Sequence, residues 1–274
     1  MLKIRRGDRR KNMLIIGEKI NGMFKNVKEA IQSKNKSIIH EIAKKQLDAG
    51  ANVLDVNVGP ASVEPLKDME WLIHSIREIS NAPLAIDTTK RDVMELGLSI
   101  AGPDSFINSA SGQKEKLDML LPLAKKYKSK VIALTMTKSG VPANAESRLE
   151  IAANIVASCM EHEVEVENLY IDAVILPVNV AQEHANAVLE TIRQCKLICD
   201  PAPKTILGLS NVSQGTIDRP LVDRTFLAMA LAAGLDAAIL NPLDKELMNV
   251  MITAELLLGK NIYCDSYLEA YGKK

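Results

Sequence analysis

Short apolar runs rich in Val and Ile alternate along this chain with longer stretches in which apolar residues recur every three or four positions. The runs are LIIGEKI (14–20), VLDVNVG (53–59), LAIDTT (84–89), SFINSAS (105–111), VIALTMT (131–137), LYIDAVI (169–175), TILGLSN (205–211) and AAILNP (237–242). Each is of strand length. Between them, 37–49, 69–79, 114–126, 147–159, 185–197, 224–233 and 245–258 carry one apolar face at helical spacing, and Gly50 stands where the first of these should stop. Eight strands separated by helices, with no linker and no break in composition, predict an α/β fold made of a single (β/α)₈ TIM barrel.

The runs share a second feature, because nearly all of them close on polar residues. Collected, these are Glu18, Asn21, Asp55, Asn57, Asp87, Asn108, Ser109, Thr135, Thr137, Asp172, Ser210, Asn211 and Asn241. Any one of them is explained by a turn or a helix cap. In a barrel, however, strand C-termini share one face, and that face carries function. The convergence of these residues on one ring therefore defines the candidate site.

Composition narrows what the ring can bind. Of the 274 residues, 34 are Lys or Arg and 34 are Asp or Glu, so no bulk positive field draws in nucleic acid or an anionic membrane. Three Phe, five Tyr and one Trp are too few for a stacking platform on single strands. No apolar stretch has the length of a membrane span or a signal peptide, and the expectation is a cytoplasmic protein. Cys159, Cys195, Cys199 and Cys264 lack CxxC spacing and read as ordinary, mostly buried thiols, with Cys195 and Cys199 at i,i+4 helical spacing. The four histidines form no ligand motif, so no protein-bound metal is expected. The basic segment MLKIRRGDRRKN (1–12) reads as a frayed extension ahead of a domain over 13–274, with Met13 as a candidate start.

The ring has carboxylates and carboxamides but neither GxGxxG nor GxxxxGK[ST], which sets aside dinucleotides and nucleoside triphosphates. Clustered aspartates could hold magnesium. A flat heterocycle with an amidine-like edge, such as a pterin, fits better. Its ring N–H and exocyclic amine present a fork of donors to a carboxylate, and an amide such as Asn108 both donates and accepts.

The stretches LIIGEKINGMF, LDVNVGPA, AIDTT, FINSAS, LTMTKSGVP, YIDAVILPVNVAQ, DPAPKTILGLSNVSQ and RPLVDRTFLAMALAAGLDAAI occur in order from about Met13 to Tyr267. Together they resemble the methyltetrahydrofolate:corrinoid protein methyltransferases of the pterin-binding TIM-barrel superfamily. The resemblance implies methyl transfer between N5 of methyltetrahydrofolate and the cobalt of a corrinoid, or cobalamin, carried by a separate partner protein. It implies that Asp87, Asn108 and Asp172 hold the pterin ring and that Asn211 approaches the methyl-bearing nitrogen. Gly208 and Ser210 would line the same strand end, and Gln214 and Arg219 would lie toward the mouth. A homodimer built through outer helices is also implied.

The resemblance leaves the direction of transfer and the particular corrinoid protein open. Two alternatives stand beside it. One is a pterin-binding subunit without catalysis. The other is a dihydropteroate synthase, against which the stretches IDAVILPVN and GLSNVSQ count, since they lack the Lys and the Ser-Arg-Lys cluster of that family after the sixth and seventh strands.

Overall fold

The computed structural model describes residues 12–260. Eight parallel strands close into a barrel in chain order: β1 (Leu14–Asn21), β2 (Val53–Asn57), β3 (Leu84–Asp87), β4 (Phe106–Ser111), β5 (Lys130–Leu134), β6 (Leu169–Asp172), β7 (Lys204–Gly208) and β8 (Ala237–Leu240). Strand β8 pairs back onto β1, so no edge is left unpaired. The outer layer of the described residues consists of α1 (Lys25–Gln32), α2 (Lys36–Asp48), α3 (Pro65–Arg77), α4 (Arg91–Ala101), α5 (Lys114–Tyr127), α6 (Ala145–Glu161), α7 (His184–Cys195), α8 (Arg219–Ala233) and α9 (Lys245–Leu257). The extension at 1–11, Cys264 and the chain end from 261 lie outside the described residues.

The two-residue period of a strand explains how the barrel places its chemistry. One apolar residue from each strand (Ile16, Val53, Ala85, Phe106, Ile132, Tyr170, Ile206 and Ala237) forms a cluster separate from the main core, closed by an edge-to-face contact between Phe106 and Tyr170. These side chains plug the barrel interior. Two residues further along each strand, on the same face, stand Glu18, Asp55, Asp87, Asn108, Leu134, Asp172, Gly208 and Ile239. The other parity, including Leu54, Ile86, Ile107 and Leu207, packs outward under the helices in the main core. Strand pleating alone thus stacks a polar layer on an apolar plug.

Two interruptions of pairing register occur, between Gly17 and Ile20 in β1 and between Asn108 and Ala110 in β4. Each sits beside a residue of the polar layer, as bulges that re-aim side chains commonly do. At the first, the fully buried Gln46 of α2 accepts from the backbone N–H of Lys19 at 2.9 Å. A Cβ on Gly17 would lie 2.5 Å from that same Gln46 oxygen, so the bulge requires glycine there.

Several sequence expectations need correction. The runs at 131–137, 169–175 and 205–211 end as strands at Leu134, Asp172 and Gly208. Val174 adopts a left-handed φ of 56°, which stops β6, and Leu209–Asn211 form a 3₁₀ turn that stops β7. Helices α3 and α8 begin at Pro65 and Arg219, ahead of the expected 69 and 224, because a proline in the first helical turn lacks only an N–H that would be unpaired anyway. Helix α7 ends at Cys195, so Cys199 is not its i,i+4 neighbour. Burial pushes the thiols of Cys159 and Cys195 up to about 12, which makes them inert.

The apolar periodicity does not mark helices α1 and α4. The first is a single short amphipathic segment, and the second is interrupted by Gly97. A Cβ at 97 would lie 2.7 Å from Cγ2 of the fully buried Ile86 on β3, so the glycine permits close approach of helix and strand. We predict that Gly97→Val destabilises the fold by about 1–3 kcal/mol through overpacking. Thermal unfolding checks this, and an unchanged midpoint would show that α4 can move away from β3 at no cost.

Candidate active site

Asp55 and Asp87 stand on the inward face of β2 and β3, and neither forms an ion pair with a Lys or Arg of the described residues. Each is held by a carboxamide instead. Asn108 Nδ2 donates to Asp55 Oδ1 at 2.8 Å, and Asn57 Nδ2 donates to Asp87 Oδ2 at 2.7 Å. The backbone N–H of Gly59 fixes the Asn57 oxygen at 2.6 Å, which settles the orientation of that amide. With its nitrogen committed to Asp55, Asn108 has its oxygen left as an acceptor. Burial raises Asp55 well above the ordinary carboxylate range, and the neighbouring charges of Asp87 and Glu18 raise it further. Asp87 is raised for the same primary reason, burial, and its bond from Asn57 offsets part of this.

Asp172 ends β6 and is 7% exposed. Its Oδ1 accepts from the backbone N–H of Val174 at 2.7 Å, and the backbone of Gly208 on β7 supplies a further bond. Burial pushes this carboxyl up to about 6, although the backbone bonds and the Arg148 guanidinium pull it down. All three aspartates are therefore costly to keep ionised and are held by donors placed along strand ends. Such a layer is suited to a ligand that brings its own N–H groups.

The segment after β7 brings a different set together. Ser210 Oγ donates to Glu18 Oε2 at 2.8 Å across the β1–β7 gap. Arg219, at the start of α8, donates from Nη2 to the Ser210 carbonyl at 3.1 Å and from Nε to Ser213 Oγ at 3.1 Å. A cavity of about 250 Å³ opens beside them, lined by Glu18, Lys19, Ser210, Arg219, Asp223, Asn241 and Asp244 among others. Its lining includes neither Asp87, Asn108 nor Asp172, so it adjoins the polar layer and does not coincide with it. Burial raises Asp223, while Ser213 and Arg219 lower it.

Asn211 is exposed at the mouth. A Cβ on Gly208 would come within 3.1 Å of its Nδ2, so the glycine at the strand end leaves the amide room to lie over it. The helix that follows is capped by Asp218, whose side chain accepts from Leu221 N, and not by Asn211. Gln214 is exposed beyond the turn, its backbone N–H donating to the Asn211 carbonyl at 3.2 Å. The sequence reading thus names residues that meet in two adjoining groups, Asp87 with Asn108 and Asp172 in the layer, and Gly208, Ser210, Asn211, Gln214 and Arg219 on the β7 turn.

Turn-forming explains other members of the original ring. Asn21, Thr137 and Asn241 each accept from a backbone N–H two residues on, and Thr135 Oγ1 donates to the Asp172 carbonyl at 3.1 Å. Glu18, Asp55 and Asn57, which the sequence places in the ring without an individual role, take part in the site, and so do Asp223, Arg148 and His184, which lie on helices and carry no such signal. Among the described residues no group of three or more His, Cys, Asp or Glu is arranged to hold a metal ion. No helix of the described residues is long and apolar enough to cross a membrane.

A barrel whose mouth stacks buried carboxylates and carboxamides on an apolar plug is suited to a flat, donor-bearing heterocycle. Residues 24–241 match the family of pterin binding enzymes, and the chain belongs to that family. It is similar to the methylcorrinoid:tetrahydrofolate methyltransferase of Eubacterium limosum, with 29% identity over 94% of this chain and 96% of the relative. It is also 28% identical, over 84% of its length, to methionine synthase of Mycobacterium tuberculosis, and spans about a fifth (20%) of that longer protein. In fold it resembles a dihydropteroate synthase from Clostridium difficile crystallised in the presence of pteroic acid, with a TM-score of 0.68 and 18% identity over 90% of this chain and 97% of that one.

Proposed function

We propose that this protein is a Co-methyltransferase that moves a methyl group between N5 of tetrahydrofolate and the cobalt of a corrinoid carried on a separate protein. The observation that carries the proposal is the pairing of a buried Asp–Asn layer with an exposed amide, Asn211, on the adjoining turn. The first is a pterin slot, and the second supplies a hydrogen-bonding group that mere binding does not need. The E. limosum relative, by its name, handles the same pair of substrates.

In this reading Asp87 and Asp172 accept from the pterin's ring and amine N–H groups, and the Asn108 oxygen takes a further donor. Ser210 and Arg219 shape the wall where N5 sits, and Gly208 keeps that wall thin. The partner's cobalt supplies the electron pair that takes up the methyl group, or returns it. When the methyl group leaves N5, the C–N bonding pair stays on nitrogen, Asn211 stabilises that developing charge with an amide N–H, and a proton from solvent completes the N5–H. When methyl arrives from the corrinoid, the N5 lone pair forms the new C–N bond, the Co–C pair stays on cobalt and N5 gives its proton to solvent, while the Asn211 oxygen can accept a hydrogen bond from that N–H. The residues serve both directions, and the relative's name favours transfer to tetrahydrofolate. A homodimer through outer helices belongs to the same proposal, and Leu221 and Met229 on α8 are exposed apolar positions available for it.

The test is calorimetric titration of the protein with tetrahydrofolate, alongside methyl transfer from a methylcorrinoid protein under anaerobic conditions. We expect micromolar binding, largely lost in Asp87→Ala, together with turnover. Binding without turnover on any corrinoid protein would favour a pterin-binding subunit. Absence of binding would remove the reading altogether.

A further inference from the structure

Among the described residues Arg148 is the largest side chain with no exposed surface, and its hydrogen bonds go to backbone carbonyls and a histidine, not to a carboxylate. It lies in the first turn of α6, outside the barrel. From there Nε donates to the Pro142 carbonyl at 2.8 Å, Nη1 to the Val174 carbonyl at 3.1 Å and, more closely, to that of Ala173, and Nη2 to His184 Nδ1 at 2.7 Å. A guanidinium only donates, so His184 must accept through Nδ1 and carry its proton on Nε2. Two of these contacts, to the Ala173 and Val174 carbonyls, fall on the corner that follows Asp172.

That corner is strained. Val174 sits at a φ of 56°, a conformation that a β-branched residue adopts only when its surroundings impose it, at about 1–3 kcal/mol. Two groups impose it here. Asp172 Oδ1 holds the Val174 N–H from inside the barrel, and Arg148 holds the Val174 carbonyl from outside. Further along, the Val178 N–H donates to the Val212 carbonyl at 3.0 Å, which ties the same loop to the turn bearing Asn211. The Arg148 fork therefore sits behind both groups of site residues.

We infer that Arg148 is a positioning residue for the pterin site, clamping the 172–174 corner so that the Asp172 carboxylate faces the ligand. The inference rests on the pterin reading for its ligand, but its first test does not. Arg148 has two separable effects, a charge beside Asp172 and a fork that fixes two carbonyls. The charged or titratable groups around the pair are Arg148 itself, His184 and, 3.9 Å from His184, Glu183.

Arg148→Met removes both effects, whereas Arg148→Lys keeps the charge and loses the fork. Carbon-13 titration of the Asp172 carboxyl in the unliganded protein should show its midpoint rising in Arg148→Met and also rising, by less, in Arg148→Lys, because losing the fork loosens the Val174 N–H bond that pulls it down. Tetrahydrofolate affinity at neutral pH should fall about tenfold in Arg148→Lys, and the loss should largely disappear in an Asp172→Asn background, since the clamp then has nothing to aim. An Asp172 midpoint unmoved by Arg148→Met overturns the inference whether or not folate binds. If Arg148→Met does not fold, Arg148→Lys decides alone. Native affinity, or a loss fully additive to Asp172→Asn, assigns Arg148 a role in folding only. If the unsubstituted protein binds no tetrahydrofolate, the pterin reading fails, and the carboxyl titration still judges the clamp.

Discussion

Asn211→Ala is expected to slow methyl transfer by about 10²- to 10³-fold while changing tetrahydrofolate affinity by less than about threefold. The asymmetry follows from where charge appears. In the bound substrate N5 carries a neutral amine lone pair and gains little from a donor. As the C–N bond breaks, electron density accumulates on nitrogen, and a fixed N–H then stabilises the transition state more than the ground state. Asn211 can do this because it is exposed at the mouth and is not consumed as a helix cap. Asn211→Asp should be no better than Ala, because an exposed carboxylate with a pKa near 4 is ionised at neutral pH and has no proton to donate. Single-turnover methyl transfer, measured beside calorimetric affinity, separates the two effects. A loss confined to affinity would make Asn211 a binding group and leave the chemistry to another residue.

The strand ends were the legible part of this molecule. Most runs show the same grammar, an outward parity of apolar residues and an inward parity that turns polar near its end, and the fold preserves it in β2, β3 and β4, whereas β5, β7 and β8 carry Leu134, Gly208 and Ile239 at the corresponding inward position. What the periodicity did not show are places where tertiary contact overrides local pattern. Gly97 reads as a helix breaker, yet α4 needs it to approach Ile86. Pro65 and Pro220 read as interruptions, yet both stand in first helical turns.

The site follows the same division. Asp87, Asn108 and Asp172 are visible because their position in a run gives their direction, whereas Asn211 stands in the 3₁₀ turn beyond β7 and is singled out by the family resemblance. Arg148 and His184 are not, because a charged residue in SRLEIAANIV or EHANAVLE looks like an ordinary surface position of an amphipathic helix. Only the folded chain shows that one arginine is fully buried and aimed at a strand end.

Acid should act on this protein in two opposite ways. For the empty barrel, the Asp172 carboxyl has a folded value of about 6 against an ordinary 3.8, so the folded state holds its proton more tightly than the unfolded chain does. Such a group costs stability above its folded value and costs nothing below its unfolded one, and lowering the pH from about 7.5 to about 5.5 should therefore raise the unfolding temperature of the unliganded protein. The full cost at Asp172 is at most about 3 kcal/mol, and Asp55 and Asp87, both raised by burial, add in the same direction. The exposed carboxylates whose pKa values are lowered, such as Glu41 and Glu78, are already ionised across this window and do not cancel it. For the liganded protein the sign reverses. A pterin N–H needs the ionised carboxylate, so tetrahydrofolate affinity should fall about tenfold for each pH unit below about 6. Asp172→Asn should lower affinity at neutral pH by about 10²-fold, since bonds to charged groups contribute about 1.5–3 kcal/mol each, and should flatten the acid limb. Thermal unfolding and calorimetric titration over the same pH series test both halves. Parallel rather than opposed trends would mean that Asp172 is protonated in the complex and donates to the ligand.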